Sequence, residues 1–495
     1  MKIIMHVGIA LIISISLMAS TVSTAQTDAS KAPDAAGDKF EKFLSGCHTQ
    51  YDEIDGRIDQ AGVRDAGYYR IPGFPYLRTD RLMSSYRDAL GDLNTLGVWM
   101  LQLRENDSIA RDIELTNLGM PKYERAALLN DLRVCAVWMS YADLDDVATR
   151  QRLMDTAQVP DDYAEGMPKP DDHLTADVQL HHSAIKSLFA HPLNPRQRAT
   201  LWRPAHEVDA KLLPKGFSGV ARDELGRVGL LMNVWPELAA KYAPHLLMEN
   251  SHANDVLGSP VLGPNGPTID TTKAIVYYLP NYARIGGRTL VQLVYFVWFP
   301  KTGSSSAAPA LDGLIWRVTL DEQGQPLLYD TINASGFDPL WFPTHPLKLK
   351  NPVGQEMALV PQASTPSLPF TLRLQSGTHV PMRLMAEKKG SDKHDVAAHR
   401  YELRPYEDLF TLNVPGGGTQ SLFNTEGVIV GTEPADSARY FATGIKHAGA
   451  LREWGRHPIA LDSRVHFDDP FLIDSRFEVP AVEENQHGQA SIATP

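Results

Sequence analysis

Apolar positions along this chain follow two different periods. From Phe40 they recur every three or four residues: Phe40, Phe43, Leu44, Cys47, Tyr51, Ile54 and Ile58 share one face of a helix. The stretch Arg70-Ile71-Pro72-Gly73-Phe74-Pro75-Tyr76 interrupts that pattern. It reads as a connector, because proline stops a helix and glycine permits a turn. Thr79 or Asp80 is placed to cap the next helix, which carries Leu82, Tyr86, Leu90 and Leu93. Pro121 precedes a further helix over 123–141, at a position where its missing N–H costs little. Residues 144–154 add another. The expectation is a helical region over 39–158, after a polar leader over 26–38 with no apolar periodicity.

Residues 159–173 are acidic and proline-rich and read as a linker, and 174–244 mix short apolar runs with a helix near 236–242. After residue 244 the chain reads as strands. Residues 274–279 and 290–299 are β-branched and aromatic, and Ile285-Gly286-Gly287-Arg288 between them signals a tight hairpin. Residues 313–320 and 327–329, with a turn at 321–324, complete an antiparallel meander. Shorter strands are expected at 371–374, 380–384, 401–403 and 427–431. The fold class expected is therefore α+β: an N-terminal helical layer followed by a C-terminal antiparallel-sheet-rich region. The β-rich domain spans 174–480 with long loops, and a polar, disordered tail covers 483–495.

The first 25 residues have a separate meaning. Lys2 precedes an apolar run over 7–18, and small residues follow, with Ser23 and Ala25 at −3 and −1 of a signal-peptidase site. The run is too short to cross a bilayer, which takes about 20 apolar residues. Cleavage before Gln26 and a periplasmic or secreted location are expected. The formal charge of −12 is scattered, with no basic patch, which argues against a nucleic-acid partner. No later segment approaches transmembrane length. The two cysteines, Cys47 and Cys135, are a disulfide candidate in an oxidising compartment, or else two buried thiols.

Familiar catalytic signatures are missing. There is no Gly-x-Ser-x-Gly, no Walker A loop, no Gly-x-Gly-x-x-Gly and no Cys-x-x-Cys, and His206-Glu207 has Ala210 where a zincin would place its second histidine. Three polar clusters remain. Glu249, His252 and Asp255 are oxygen and nitrogen donors suited to acid–base work or metal binding, or else form an Asx-rich turn. Arg452, Trp454, Arg456 and His457, with His466, Asp468 and Asp469, present guanidinium groups that would grip a carboxylate or phosphate, or tie domains together. His181, His182 and His191 are either metal ligands or ordinary hydrogen-bonded histidines.

Three stretches together resemble an uncharacterised family of exported bacterial proteins of about this length. They are residues 69–78, residues 312–320 with 326–330, and Trp454-Gly455-Arg456-His457 followed by His466-Phe467-Asp468-Asp469-Pro470. The resemblance implies an exported compartment and carries no activity. It also implies a His-x-Cys-Gly-Cys-x-His-like segment, where this chain has Asn333-Ala334-Ser335-Gly336-Phe337-Asp338-Pro339. Three functions stay open on this reading. The first is a non-enzymatic binding or envelope-associated protein with an unidentified ligand or envelope partner. The second is a hydrolase or lyase on an envelope or extracellular substrate using a carboxylate/His site. The third is a metal-handling protein. No cofactor is assigned.

Overall fold

The computed structural model describes residues 35–159, 183, 187, 199–249, 251–301, 311–337, 339–344, 347–350, 370–386, 398–433, 446–456 and 466–479. The expected signal peptide, residues 26–34 of the leader, nearly all of the 159–173 linker and the 483–495 tail lie outside the described residues, as do His181, His182, His191 and His457. The chain divides into two compact units, 1–46 and 47–495. The described part of the first is the opening of helix α1 (Ala35–Ala61), which begins inside the expected leader. All later elements belong to the second unit.

The fold is α+β, with helices at the N-terminal end and a strand-rich remainder. After α1 comes a small hairpin, β1 (Tyr69–Ile71) and β2 (Phe74–Thr79), where the sequence suggested a connector. Pro72 and Gly73, the latter at φ 82°, form its turn in the proline-then-glycine order of a type II turn. Asp80 then caps α2 (Arg81–Ser84) by accepting the Met83 N–H at 2.7 Å. The single helix expected over 82–93 and beyond is broken. Leu90 leaves helical geometry, and Asp92 starts a new cap, accepting from Asn94 and Thr95, for α3 (Leu93–Asn117). Helices α4 (Lys122–Asp145) and α5 (Val147–Thr156) follow. Cys47 and Cys135 are joined in a disulfide, with Cα atoms 5.5 Å apart, tying α1 to α4.

The remainder is organised by one 10-stranded sheet. Its centre is the meander β7 (Ile275–Ile285), β8 (Arg288–Pro300), β9 (Leu311–Leu320), β10 (Pro326–Asn333) and β11 (Leu340–Pro343), paired antiparallel. Gly286 (φ 55°) and Gly287 (φ 75°) make the two-residue hairpin turn between β7 and β8. Beyond β7 the sheet continues through β15 (Ala398–Pro405), β3 (Ala199–Pro204), β4 (His245–Glu249), β13 (Phe370–Leu374) and β14 (Pro381–Ala386). This half departs from a purely antiparallel sheet. β15 runs parallel to both β7 and β3, and β4 parallel to β13. Helix α6 (Val234–Tyr242) packs on it. Apart from this sheet, β5 (Ser259–Gly263) pairs with β6 (Gly266–Asp270), and the short β12 (Lys348–Leu349) pairs with residues 477–478. The expected strand at 427–431 reduces to a single bridge, Val428 with Arg452. Gly427 at φ 74° and Gly431 at φ 82° bracket that stretch in conformations a strand does not use.

Both faces of the sheet are buried. Along β8, Leu293, Tyr295, Val297 and Phe299 enter one apolar cluster, and Val294, Phe296 and Trp298 enter the other. This is the two-residue period of a strand covered on both sides. Among the described residues no helix is long and apolar enough to cross a membrane.

Candidate functional site

A cavity of about 510 Å³ opens between the loop after α1, helices α2 and α3, the middle of β7, the short helical turn Tyr406–Phe410, and residues 453–455. Two of the carboxyl groups in its wall, Asp65 and Glu453, stand side by side. Asp65 is fixed from both sides. Its N–H donates to Glu114 Oε1 at 2.9 Å, and its Oδ2 accepts the Gly67 N–H at 3.2 Å. Glu453 is fixed through its backbone. Its N–H donates to the Gly427 carbonyl at 2.8 Å, and its own carbonyl accepts the Arg456 N–H at 3.0 Å. Between the two carboxyls lies Gly67. A methyl group on its Cα would stand 2.5 Å from Glu453 Oε1 and 3.5 Å from Asp65 Oδ2, so any side chain at 67 would push the pair apart.

The pair rests on a buried ionic frame. Arg78 grips Glu114 with two parallel bonds of 2.8 Å and donates to Asp107 Oδ1 at 3.0 Å. Arg111 takes the other oxygen of Asp107 at 2.8 Å and reaches Asp55 at 2.7 Å. Arg78, Asp107, Arg111 and Glu114 are all nearly inaccessible to solvent, which fully paired charges tolerate and single ones do not. Glu114 is thus held rigid, and Asp65 is held by Glu114.

Burial raises both carboxyls of the pair above their ordinary range. For Asp65, burial is the largest cause and the Glu114 charge the next. Arg78 and the Gly67 N–H pull part of the way back, leaving it pushed up to about 6. Glu453 goes well above the usual range, again through burial first and then through Asp65, with Arg456 and the Gly67 N–H offsetting part. The pair therefore holds its protons more tightly than two ordinary carboxyls, and each group raises the other.

The rest of the wall is aromatic and acidic. Tyr68, Tyr69, Trp235, Tyr282, Tyr406 and Trp454 face the cavity. Tyr406 stacks on Phe296 at 3.9 Å, and its hydroxyl accepts the Trp454 N–H at 3.0 Å, so this corner is rigid. Asp468 holds Arg81 at 3.0 Å. Burial alone would raise Asp468, but Arg81 and His466 outweigh it and keep it below the ordinary carboxylate range.

The residues singled out from the sequence separate in the structure. Glu249 forms a buried ion pair with Arg373, whose Nε donates at 2.7 Å. Asp255 closes its own loop, accepting from the N–H groups of Ser251, His252 and Gly377 and from the Ser376 hydroxyl. Burial alone would raise Asp255, yet those four bonds hold it below the usual range. His252 is exposed beside Gly377. These three occupy one loop region but serve its architecture, and none lines the cavity. The histidine with the richer environment there is His379, buried, stacked on Phe299 at 4.0 Å and bonded to Asp312 at 2.9 Å.

In the second cluster, Arg452 donates to the Lys446 and His447 carbonyls and Arg456 to the Ala66 carbonyl, while Arg456 also lies 4.2 Å from the Tyr69 ring centre. These bonds to backbone carbonyls do not make an anion grip. Trp454 does line the cavity, and Arg456 clamps Ala66 between Asp65 and Gly67. The cluster thus marks the right neighbourhood for another reason: Glu453, unremarked between Arg452 and Trp454. Residues Asn333 and Ser335 form an Asn-capped turn, in which Asn333 Oδ1 accepts from the Ser335 N–H and hydroxyl. Among the described residues no group of three or more His, Cys, Asp or Glu is placed to hold a metal ion. No protein family, curated protein or solved structure was found to match this chain.

Proposed function

We propose that this is an exported, periplasmic or secreted hydrolase that cleaves glycosidic bonds of an envelope or extracellular glycan, with Glu453 as its acid/base and Asp65 as its nucleophile. The observation that carries the reading is the pair itself. Two adjacent buried carboxyls, pushed to different degrees above the ordinary range, line a cavity walled by aromatic rings. Such a pair is costly to keep in a fold, and environments that push two carboxyls apart define an acid and a base. A purely binding role, the first expectation from the sequence, does not call for two raised carboxyls side by side. Export is supported by the basic start, apolar run and small residues at the N-terminus and by the disulfide, which persists in oxidising compartments.

Glu453 gives its proton to the departing glycosidic oxygen as the C–O bond breaks. Asp65 stands on the same side of Gly67 as Glu453, too close to leave a water between them, so it attacks the anomeric carbon itself as that bond breaks and forms a glycosyl-enzyme. Glu453 then takes a proton from the water that displaces Asp65 from the sugar, which restores the starting state of both groups. The aromatic faces stack on sugar rings and exclude water from the leaving side.

The test is the release of reducing ends from isolated cell-envelope glycan and soluble polysaccharides by the mature chain, against Asp65→Asn and Glu453→Gln. General acid–base groups contribute roughly 100- to 10,000-fold each, so either variant is expected to lose at least 100-fold in kcat. No release by wild type between pH 4 and 8, or release that survives both substitutions, overturns the reading.

A further inference from the structure

Taking the cavity as a glycan site, a reading on which this rests, we propose that its glycan carries free ammonium groups, as glucosamine units do, and that one seats among Tyr68, Glu407 and Asp468. Three observations point to a cationic ligand. First, Asp468 lines the cavity with a side chain only 7% exposed, and its Oδ1 meets no hydrogen-bond donor among the described residues. The His466 Nδ1 faces this oxygen from 4.0 Å, beyond hydrogen-bond reach, and a buried carboxylate oxygen without a donor is costly, so the oxygen has room for a closer one.

Second, the charge of the wall does not balance. With Glu453 protonated as the acid, the carboxyls of Asp65, Asp80, Asp223, Glu407 and Asp468 line it against the guanidinium groups of Arg81 and Arg227. Both cations are committed: Arg81 to Asp468, and Arg227 to Asp223 at 2.7 Å and to Gln102 at 2.6 Å. Glu407, exposed at the mouth, has Asp408 as its charged neighbour and no ion-pair partner among the described residues. Half-buried Tyr68 sits in the field of Asp80, Asp65, Glu407 and Glu453, which together with burial raise its phenol well above the ordinary value. A low-dielectric wall with an excess of one sign draws the opposite charge into the space it encloses.

Third, the rings that would stack on a neutral sugar also favour an ammonium group, whose charge is attracted to a tyrosine or tryptophan face within about 6 Å. A neutral glycan supplies hydroxyl donors to Asp468 but leaves the excess negative charge in place. A uronic-acid glycan adds to it. An amino sugar supplies the donor and the compensating charge at once.

The experiment compares two hexamers of one backbone, hexa-glucosamine and hexa-N-acetylglucosamine, by calorimetry at pH 6 on Glu453→Gln, which binds without turnover. The glucosamine hexamer is expected to bind at least tenfold tighter, and Glu407→Gln or Asp468→Asn in the same background to cut that ratio at least threefold. Glu407 is exposed, so its substitution leaves the fold intact should Asp468→Asn disturb it. Equal or tighter binding of the acetylated hexamer, or a ratio indifferent to Glu407→Gln, overturns the ammonium proposal while the glycan reading stands. Failure of both hexamers to bind, with no cleavage of any glycan by wild type, removes the glycan reading and this proposal together.

Discussion

Gly67 shows how little separates a working arrangement from a broken one. Its missing Cβ is what lets the carboxyls of Glu453 and Asp65 share one Cα. Gly67→Ala is expected to displace Glu453, cost about 1–3 kcal/mol through overpacking, and abolish turnover while circular dichroism stays native. Full activity in that variant would separate the pair from the chemistry. Asp65 permits a prediction of opposite sign in stability. Its carboxyl is raised from 3.8 to about 6, so the fold binds its proton more tightly than the unfolded chain does. The resulting stabilisation is complete below pH 3.8 and is lost as pH rises through 6. Asp65→Asn keeps a neutral group at every pH and still accepts from Gly67. It is therefore expected to match wild type near pH 4 and to exceed it by about 2–3 kcal/mol above pH 7, at 1.36 kcal/mol per unit. Urea denaturation at pH 4 and 7.5 measures the difference. An inactive variant that is more stable marks a residue kept for chemistry. Neither residue was legible in the sequence. Asp65 follows Arg64 in a short polar loop, and Glu453 sits between arginine and tryptophan with no motif around it. Their relation is created by contacts between opposite ends of the chain.

At the scale of elements, two connections set the geometry of the helical layer. The first is the ionic frame that joins β2 to α3 through Arg78. Arg78→Leu leaves Glu114 and Asp107 buried and uncompensated and is expected to cost about 3–5 kcal/mol, with Asp65 losing its anchor. A variant of unchanged melting temperature would contradict the frame. The second is the Cys47–Cys135 bridge, which closes a separation of 88 residues. Replacing both cysteines by alanine should cost about 4 kcal/mol through the entropy regained by the unfolded chain, read as a lower urea midpoint. Elements were legible where one physical signal ruled. The long strands of the meander announce themselves by β-branched and aromatic runs, and the Gly286-Gly287 hairpin by its turn chemistry. Legibility failed where signals competed. Pro72 and Pro75 read as breakers, yet they serve a hairpin turn and an edge strand. Leu82, Tyr86, Leu90 and Leu93 keep a helical spacing through a real break, because Asp92 caps better than it continues. The parallel entries of β15, β3 and β13 into the sheet carry no local mark, since register between distant strands is decided by packing.

At the scale of the whole molecule, the chain places its rigid sheet under a helical layer held by ion pairs and puts the unbalanced charge in the cavity between them. Residues 69–78, 312–330 and 454–456 with 466–470 come together in the fold. Arg317 pairs with Asp330 and lies 4.0 Å from the Phe467 ring centre, and Arg456 lies 4.2 Å from the Tyr69 ring centre. The measurement that bears most directly on the account is a titration of side-chain carboxyl carbons by NMR, with aspartate and glutamate 13C-labelled, in wild type, Asp65→Asn and Glu453→Gln. The account predicts a carboxyl titrating near pH 6 that disappears in Asp65→Asn, and a second, titrating well above the ordinary glutamate range, that disappears in Glu453→Gln. It also predicts that the Glu453 signal shifts down once Asp65 no longer carries charge. Two carboxyls both ionised by pH 5, with neither affected by loss of the other, would contradict it.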